Sequence, residues 1–571
     1  MGVRVNKLFY GDNLEVLRGE IASESIDLIY LDPPFNSNAN YNILFKSKTG
    51  DGSDAQIEAF EDTWHWTDHR GGSEDAFDEV MRSGLTGAAE LLRAMRGFLG
   101  ENDMMAYLAM MAIRLIELHR VLKPTGSLYL HCDPTASHYL KLLLDGVFGA
   151  ENFRNEIIWR RSGSHNSVTK QYGPIHDVIL FYAKDGSFRL NSVLQPHNKA
   201  YVEGEFRYED SRGAYRLNEI MAPETRAGDS GKPWQGYDPT PRGRHWAIPE
   251  ALKKLLPNGG AGLTTQQQLD ALHALDELYV SPAGRPKYKQ RPTEGVGLQD
   301  IWAFQPGTNG ALYESAAAID EDVKWLSNEA EKLGYPTQKP VGLLERIILS
   351  STKADAVVLD PFCGCGTAVH AAQKLGRQWI GIDITHLAIS LIEKRMKDAF
   401  PGIEFEVHGT PKDLASAQDL AARDKYQFQW WAVSMVDALP FGGKKKGADG
   451  GIDGIIYFKP DGKRTEKALV SVKGGSNVSV NMIRDLHSAM EREKAPIGVF
   501  ITSAMPTRPM ETEAAAVGRF HAEATDKSYP RLQIITLAEL FQGKKPDIPY
   551  VDPASIKRAK REDTSQQGQL I

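Results

Sequence analysis

Two short segments of this chain carry residue types that can do chemistry. The first is Asp32-Pro33-Pro34-Phe35, which follows the apolar run 26–31, and the second is residues 360–367 (DPFCGCGT), which follows the apolar run 356–359. Short apolar runs of this kind are typical of buried β-strands, so both segments are expected at the ends of strands.

The first segment suits an amino group attached to an aromatic ring. Such a nitrogen is a poor nucleophile because its lone pair is delocalised into the ring. The Asp32 carboxylate and the Pro33 carbonyl can accept its two N–H groups, and Asp32 can stabilise the positive charge that develops. Pro33 and Pro34 stiffen the turn, and Phe35 can stack on the ring. A base inside a duplex would first have to be flipped out. The same four residues also suit a plain turn.

The second segment suits a nucleoside cofactor. Gly364 and Gly366 lie between a predicted strand and a predicted helix, where glycine lets the backbone approach a ligand closely. Asp383 follows about 20 residues later, the spacing of an acidic group that binds ribose hydroxyls. Val369 replaces the third glycine of the dinucleotide fingerprint, which favours S-adenosylmethionine over NAD. Together the two segments predict methyl transfer onto a nucleobase.

Composition limits the class of protein. A chain of 571 residues is too long for one core, so two to four domains are expected. We find no apolar run of about 18 residues and no signal peptide, and three cysteines fit a reducing cytoplasm. The net charge of −7 argues against non-specific coating of nucleic acid but not against a local basic groove.

Hydrophobic periodicity predicts alternating strands and helices, and therefore a largely parallel α/β sheet. Residues 36–100 are polar and Gly-rich and are expected to form a long loop followed by one helix at about 85–97. The predicted strands are 8–10, 26–31, 127–131, 156–159, 178–182, 357–359, 379–382 and 404–407, and the other predicted helices are 13–17, 103–122, 135–148, 341–351, 367–375 and 385–397.

The order of several motifs resembles that of the permuted, beta-group amino-methylating DNA methyltransferases, especially type III modification subunits. The motifs are 10–13 (YGDN), 31–36 (LDPPFN), 62–64 (DTW), 128–135 (LYLHCDPT), 155–159 (NEIIW), 335–340 (YPTQKP) and 360–367. The resemblance implies a Rossmann-like domain interrupted by a target-recognition insertion. The predicted boundaries are 1–184 and 331–410 for the methyltransferase domain and 185–330 for the insertion.

The resemblance also implies roles for individual residues. Asp32, Pro33, Pro34 and Phe35 would be catalytic, Thr337, Gln338 and Lys339 would flank the methionine moiety of the cofactor, and Asp12 would lie near its adenine ring. The complete set of expected cofactor residues is Asp12, Thr337, Gln338, Lys339, Asp360, Phe362, Gly364, Gly366, Thr367 and Asp383.

The C-terminal part, 411–555, resembles a Mrr-type restriction endonuclease domain with a PD-(D/E)xK-like α/β fold. A hairpin around residues 460–462 would bring Asp453 and Lys473 together, a pattern that holds Mg²⁺ for phosphodiester cleavage. Ser471 stands where Glu or Gln is expected, and Gln429 stands where the preceding helix often carries Glu. Asp449 could replace a lost ligand. A domain that binds DNA or a partner without cutting is therefore at least as well supported. The tail 556–571 is expected to be disordered.

Three hypotheses follow. The favoured one is a cytoplasmic enzyme that transfers a methyl group from S-adenosylmethionine to adenine N6 in double-stranded DNA, with a degenerate nuclease-like domain. The second is a bifunctional restriction–modification enzyme, which needs Mg²⁺, and the third is a DNA-binding protein with neither activity. For the methyltransferase, N4 of cytosine is the alternative target. A homodimer and a separate restriction subunit are further possible partners, whereas no membrane partner is expected.

Overall fold

The computed structural model describes residues 5–34, 40–44, 56–61, 66, 73–164, 170, 172–282, 284–326, 331–333, 335, 337–441, 451–461, 464–475, 477–523, 526–549 and 562. The chain forms two compact units. The first contains Met1–Asn191, Asp300–Phe304 and Asp322–Ile571, and the second contains Ser192–Gln299 and Gln305–Glu321. None of the helices in the described part is long and apolar enough to cross a lipid bilayer.

In its described residues, the N-terminal part of the first unit contains seven strands and five α-helices. The strands are β1 (Asn6–Tyr10), β2 (Ile26–Leu31), β3 (Asn40–Leu44), β4 (Gln56–Glu61), β5 (Leu122–Cys132), β6 (Phe153–Arg160) and β7 (His176–Ala183), and the helices are α1 (Asn13–Glu20), α2 (Ser73–Arg82), α3 (Thr86–Leu99), α4 (Asp103–Val121) and α5 (Pro134–Phe148). Strands β3 and β4 pair only with each other among the described strands.

The expectation of one long loop over 36–84 was wrong. Helix α2 lies inside it and buries Ala76, Phe77 and Val80 on one face, which belongs to the core that α4 also lines. The helix is only ten residues long and carries four acidic residues and one arginine, so its apolar face is easily overlooked in the sequence.

The second unit has its own small core around Trp234 and Trp246. Its elements are α6 (Lys199–Glu205), α7 (Glu250–Lys253), α8 (Thr265–Ala274), β8 (Leu194–Gln195), β9 (Tyr208–Asp210), β10 (Gly213–Glu219), β11 (Met221–Pro223), β12 (Arg244–Trp246), β13 (Leu278–Val280), β14 (Pro286–Gln290) and β15 (Val296–Gly297). Four of its strands form an antiparallel sheet in the order β13-β14-β10-β9.

The chain then returns to the first unit, where the structure describes four more strands and three α-helices. They are β16 (Ile301–Trp302), α9 (Val341–Ser351), β17 (Val357–Asp360), α10 (Thr367–Lys374), β18 (Gln378–Asp383), α11 (His386–Ala399) and β19 (Phe405–His408). The completed sheet has nine strands in the order β16-β6-β7-β5-β2-β17-β18-β1-β19, and all neighbours pair in parallel except β7 with its two neighbours. Two cores cover its two faces, one with α1 to α5 and the other with α9 to α11, which confirms the predicted α/β class.

The C-terminal part of the first unit has a separate five-stranded sheet in the order β20-β21-β22-β23-β26, with helices on both faces. Its elements are α12 (Leu414–Arg423), α13 (Lys425–Met435), β20 (Leu439–Pro440), β21 (Gly454–Phe458), β22 (Glu466–Lys473), α14 (Val480–Arg492), β23 (Ile497–Thr502), α15 (Arg508–Ala516), β24 (Arg519–Ala522), β25 (Lys527–Pro530), β26 (Leu532–Thr536) and α16 (Leu537–Phe541). The antiparallel pair β21–β22 is the hairpin expected from the sequence. The predicted disorder of the tail concerns residues that lie outside the described ones, apart from Glu562.

Candidate functional site

A cavity opens where β1, β2, β17 and β18 end. The carboxyl ends of parallel strands at one edge of an open α/β sheet are the usual place for a ligand. The cavity is lined by Gly11, Asp12, Asn13, Tyr30, Asp32, Pro33, Pro34, Arg114, Tyr335, Thr337, Lys339, Leu344, Asp360, Pro361, Phe362, Cys363, Gly364, Cys365, Thr367, Ala368, Asp383, Ile384, Thr385 and Leu387.

The two segments singled out in the sequence meet in this cavity. Strand β2 pairs in parallel with β17, with Leu28 opposite Val358 and Ile29 opposite Leu359. Asp32 therefore leaves β2 close to Asp360 at the end of β17, although more than three hundred residues separate them in the chain. Asp32, Pro33 and Pro34 line the cavity. Phe35 lies outside the described residues.

Asp32 has a cationic partner in this structure. The Lys339 Nζ donates to the Asp32 Oδ2, and the Lys339 side chain is almost completely buried. The same Nζ lies 3.4 Å from the carbonyl oxygen of Thr337. Lys339 thus occupies one of the acceptor positions on Asp32 that an amino group would use.

The glycine segment is shaped by Asp383. The Gly364 N–H donates to the Asp383 Oδ2 at 2.9 Å, and the backbone N–H and hydroxyl of Thr385 donate to its Oδ1 at 2.9 and 2.8 Å. Gly364 has a φ of +49°, and a Cβ there would lie 3.2 Å from the Tyr335 ring. The glycine is therefore required both by the left-handed backbone and by the close approach of the ring.

Gly366 is required for packing next to the cavity rather than for lining it. Its φ is +74°, and a Cβ would lie 2.8 Å from Ile392 on α11, so the loop and that helix could not pack as they do. It precedes α10 but does not line the cavity, whereas Phe362 and Thr367 do.

The carboxyl groups of the cavity are poorly solvated. Burial raises the pKa of Asp360 well above its usual range, and the neighbouring carboxylates of Asp32 and Asp383 add to this effect. Desolvation also raises the pKa of Asp383 to about 6, against the lowering effect of its hydrogen bonds. Such a site favours a ligand that brings positive charge or hydroxyl donors to these carboxyl groups.

Asp12 and Gln338 have structural partners. The Asp12 carboxylate caps α1 through the Leu14 N–H at 2.8 Å and accepts from the Arg114 Nη2 at 2.8 Å. Asp12 lines the cavity, but Gln338 does not, because its amide bonds the Leu333 N–H and the Glu331 carbonyl. The expected cofactor residues therefore line one cavity, except Gln338 and Gly366, which do not line it.

Sequence reasoning did not identify Arg114, and it placed Asn13 in the 10–13 motif without assigning it a role. Arg114 is buried in α4 and donates to both Asp12 and Asn13, and the Asn13 amide donates to the Pro361 carbonyl at 2.9 Å. These contacts tie α1 and α4 to the segment after β17. An arginine inside the apolar stretch 104–118 was the available signal, since a charged residue is rarely buried without a partner.

Comparison with known proteins agrees with this geometry. Residues 26–394 match the family model described as N6_N4_Mtase, DNA methylase. The chain belongs to this DNA methylase family. The methyltransferase is 28% identical over 394 residues to the type II methyltransferase M.EcaI of Enterobacter cloacae, covering 68% of this chain and 69% of that protein. It is 27% identical over 383 residues to the StyLTI Mod subunit of Salmonella typhimurium, covering 65% of this chain and 50% of that protein, so it spans about half of that relative.

Solved structures are more distant. The methyltransferase aligns with TTHA0409 of Thermus thermophilus in complex with S-adenosyl-L-methionine with a TM-score of 0.30 and 16% identity, over 71% of this chain and 99% of that one.

Residues 437–542 match the model described as NACHT-associated inactive Restriction Endonuclease 1. The enzyme is thus a DNA methyltransferase of restriction–modification type with a C-terminal restriction-endonuclease-like domain.

Of the nuclease-like residues, Asp453 directly precedes β21, and Ser471 and Lys473 lie on β22. The Asp453 Oδ2 accepts from the Val472 N–H at 2.6 Å and lies 3.4 Å from the Ser471 hydroxyl, and Lys473 ends β22. One oxygen of the Asp453 carboxylate is therefore used in holding the hairpin. Asp449 lies outside the described residues. Among the described side chains, no group of three or more His, Cys, Asp or Glu residues is arranged to hold a metal ion.

We predict that Gly364→Asp strongly weakens cofactor binding by the methyltransferase. The added side chain meets Tyr335 and places a carboxylate beside Asp383. Calorimetry with S-adenosylmethionine should show binding at least about tenfold weaker, equivalent to about 1.4 kcal/mol. Gly376→Asp is the matched control, since Gly376 also has a positive φ, of +69°, but nothing lies within 4 Å of its Cβ position. Equal binding by wild type and Gly364→Asp would contradict this placement.

Proposed function

We propose that the enzyme transfers the methyl group of S-adenosylmethionine to the exocyclic N6 of adenine in double-stranded DNA. The observation that carries the proposal is the meeting of Asp32 with the Asp360–Thr367 segment in one cavity. S-adenosylmethionine supplies a methyl group on a cationic sulfur. Asp12, Asp360, Gly364 and Asp383 would hold this cofactor. The carboxyl groups of the three aspartates suit its hydroxyl and cationic groups. N4 of cytosine is the alternative target.

Asp32 and the Pro33 carbonyl would accept the two N–H groups of the flipped base. Because Lys339 already donates to Asp32, the amino group must displace or share this contact as it enters. Before the base arrives, the lysine balances the charge of a carboxylate that would otherwise lie unpaired in a partly buried place.

Asp32→Ala is expected to lower the methylation rate by on the order of 10²–10³ while cofactor binding persists, the usual cost of removing one positioned transition-state group. Asp355→Ala is the control, because that exposed carboxylate precedes β17 at the opposite end of the strand. Mass spectrometry of digested DNA identifies the product. A normal rate in Asp32→Ala would refute the mechanism, and N4-methylcytosine as the only product would refute the base assignment.

We propose that the second unit reads the DNA sequence. Its support is that it interrupts the methyltransferase sheet as a separately folded unit and contains Arg, Asn and Gln side chains of the kind that contact base edges. Exchange of residues 192–299 and 305–321 for those of a relative should change the methylated site in long-read sequencing. A folded, active chimera that still methylates the original site would contradict this role. A homodimer and a partner restriction subunit stay open proposals.

We further propose that the C-terminal domain does not cut DNA. The described part of its site has one carboxylate, Asp453, and that group bonds the backbone of β22. Ser471 is a weak Mg²⁺ ligand beside a carboxylate. We expect no cleavage of methylated or unmethylated cognate DNA with Mg²⁺ or Mn²⁺. Cleavage that is lost in Lys473→Ala would overturn this, whereas cleavage gained in Ser471→Glu would trace the inactivity to one missing ligand.

A further inference from the structure

A hydrogen-bonded row of four polar side chains crosses one face of the sheet, from the cavity towards the surface. The Tyr30 hydroxyl lies 2.9 Å from the His131 Nδ1, and the His131 Nε2 lies 3.1 Å from the Asp177 Oδ2. The other oxygen of Asp177 accepts from the Arg161 Nη1 at 2.8 Å. These residues lie on β2, β5 and β7 and just beyond β6. Of the four, Tyr30 lines the cavity.

This row of buried polar side chains is an unfavourable way to pack the sheet. His131 is completely buried, and Tyr30 and Asp177 are 3% exposed. Apolar side chains of similar volume would usually stabilise a sheet at least as well as buried polar groups. The polar groups here therefore call for an explanation other than stability.

The ionised state of Asp177 sets the direction of its hydrogen bond with His131. Burial is the largest single effect on Asp177 and opposes its charge, but the hydrogen bond from His131 and the positive charges around it, among them Lys339 and Arg161, together outweigh burial and hold the pKa of Asp177 below its usual value. Because an ionised carboxylate only accepts, the His131 Nε2 carries a proton, and in a neutral imidazole the Nδ1 then accepts from Tyr30. Burial, with the carboxylates of Asp32 and Asp360 nearby, raises the pKa of Tyr30 well above its usual value, so its phenol keeps its proton.

A phenolic oxygen that donates one hydrogen bond can still accept another, and Tyr30 lines the cavity. Tyr30 and Asp32 are two residues apart along an extended segment, so their side chains leave the same face. One oxygen of Asp32 is already engaged by Lys339. The reaction releases a proton, because an amine that gains a methyl group becomes cationic, and this proton needs an acceptor.

We propose that Tyr30, His131 and Asp177 form a proton relay that accepts the proton released by the methylated amine. The nitrogen lone pair forms the N–C bond while the S–C electron pair stays on sulfur. One N–H proton then passes to the Tyr30 oxygen as the Tyr30 proton passes to the His131 Nδ1, and Asp177 balances the imidazolium. After product release the proton returns by the same path to water in the cavity. His131 and Asp177 are positioning residues in this scheme, which rests on the proposed role of Asp32.

The chain offers a matched control for Tyr30. Tyr129 is buried on the neighbouring β5, in the same core cluster, and its hydroxyl lies 2.7 Å from the Ser351 Oγ, but it does not line the cavity. Tyr30→Phe and Tyr129→Phe each remove one buried hydroxyl with one hydrogen bond. A purely structural effect would therefore be similar in the two variants.

The kinetic test measures kcat and the KM values for DNA and S-adenosylmethionine from pH 6 to 9. Tyr30→Phe should lower kcat by on the order of 10²-fold near neutrality, the lower end for acid–base catalysis, with little change in either KM. The loss should shrink as pH rises, because hydroxide replaces the relay. The charged groups that face the relay are Asp32, Asp360 and Lys339 at the cavity and Arg161 at the outer end. A wild-type kcat in Tyr30→Phe, or an equal loss in Tyr129→Phe, would overturn the proposal.

A second test needs neither cofactor nor DNA. In ¹⁵N-histidine NMR spectra, the His131 signal, assigned through its loss in His131→Gln, should show a proton on Nε2 and a bare, hydrogen-bonded Nδ1. Asp177→Asn should reverse or mix this tautomer, and Tyr30→Phe should shift the Nδ1 resonance. A wild-type ring protonated on Nδ1 alone would overturn the relay. Absence of DNA methylation by the wild type would instead refute the proposed function, so the two failures are distinguishable.

Discussion

The parallel pairing of β2 with β17 is the contact on which the site depends. It joins strands from opposite ends of the methyltransferase part, and the chain between them includes the whole second unit. The Asp27 carboxylate strengthens the junction at its amino end, since its Oδ2 accepts from the Val357 N–H at 2.9 Å and from the Lys123 Nζ at 2.7 Å. With these strands in register, Asp32 and Asp360 must emerge side by side at the carboxyl edge.

That proximity creates an electrostatic problem which the surrounding residues solve in different ways. Asp32 is paired with Lys339 and Asp12 with Arg114. Asp383 is held by N–H and O–H donors instead. Among the described residues, Asp360 forms no ion pair, and the positive charge of Lys339 acts on it only from a distance. The described part of the site therefore contains more carboxyl groups than cations, which is the imbalance that a cationic cofactor would relieve.

Much of this arrangement could be predicted from the sequence, because local patterns encode it. The strand runs before Asp32 and Asp360, the glycines of the second segment and the spacing to Asp383 all mark strand ends and close backbone approaches. What could not be predicted depends on long-range packing. Arg114 contacts Asp12 only because α4 packs beside α1, and Tyr30 meets His131 only because β2 lies next to β5. Strand β16 pairs with β6 at the edge of the sheet, but it is only two residues long, so its sequence has no recognisable strand pattern.

The nuclease-like domain is not an independent appendage in this structure. Helix α13 packs against α11, and the Gln427 Oε1 accepts from the backbone N–H of His386 at 3.2 Å. His386 is buried, and its ring stacks on Tyr10 with a centroid distance of 3.6 Å. Burial lowers the pKa of His386 to about 3, so it stays neutral and packs as an aromatic side chain. Because Thr385 and Leu387 on either side of it line the cavity, the domain supports the wall of the candidate cofactor site. Loss of its metal ligands would leave this supporting contact intact, which gives the fold a use that does not require cleavage.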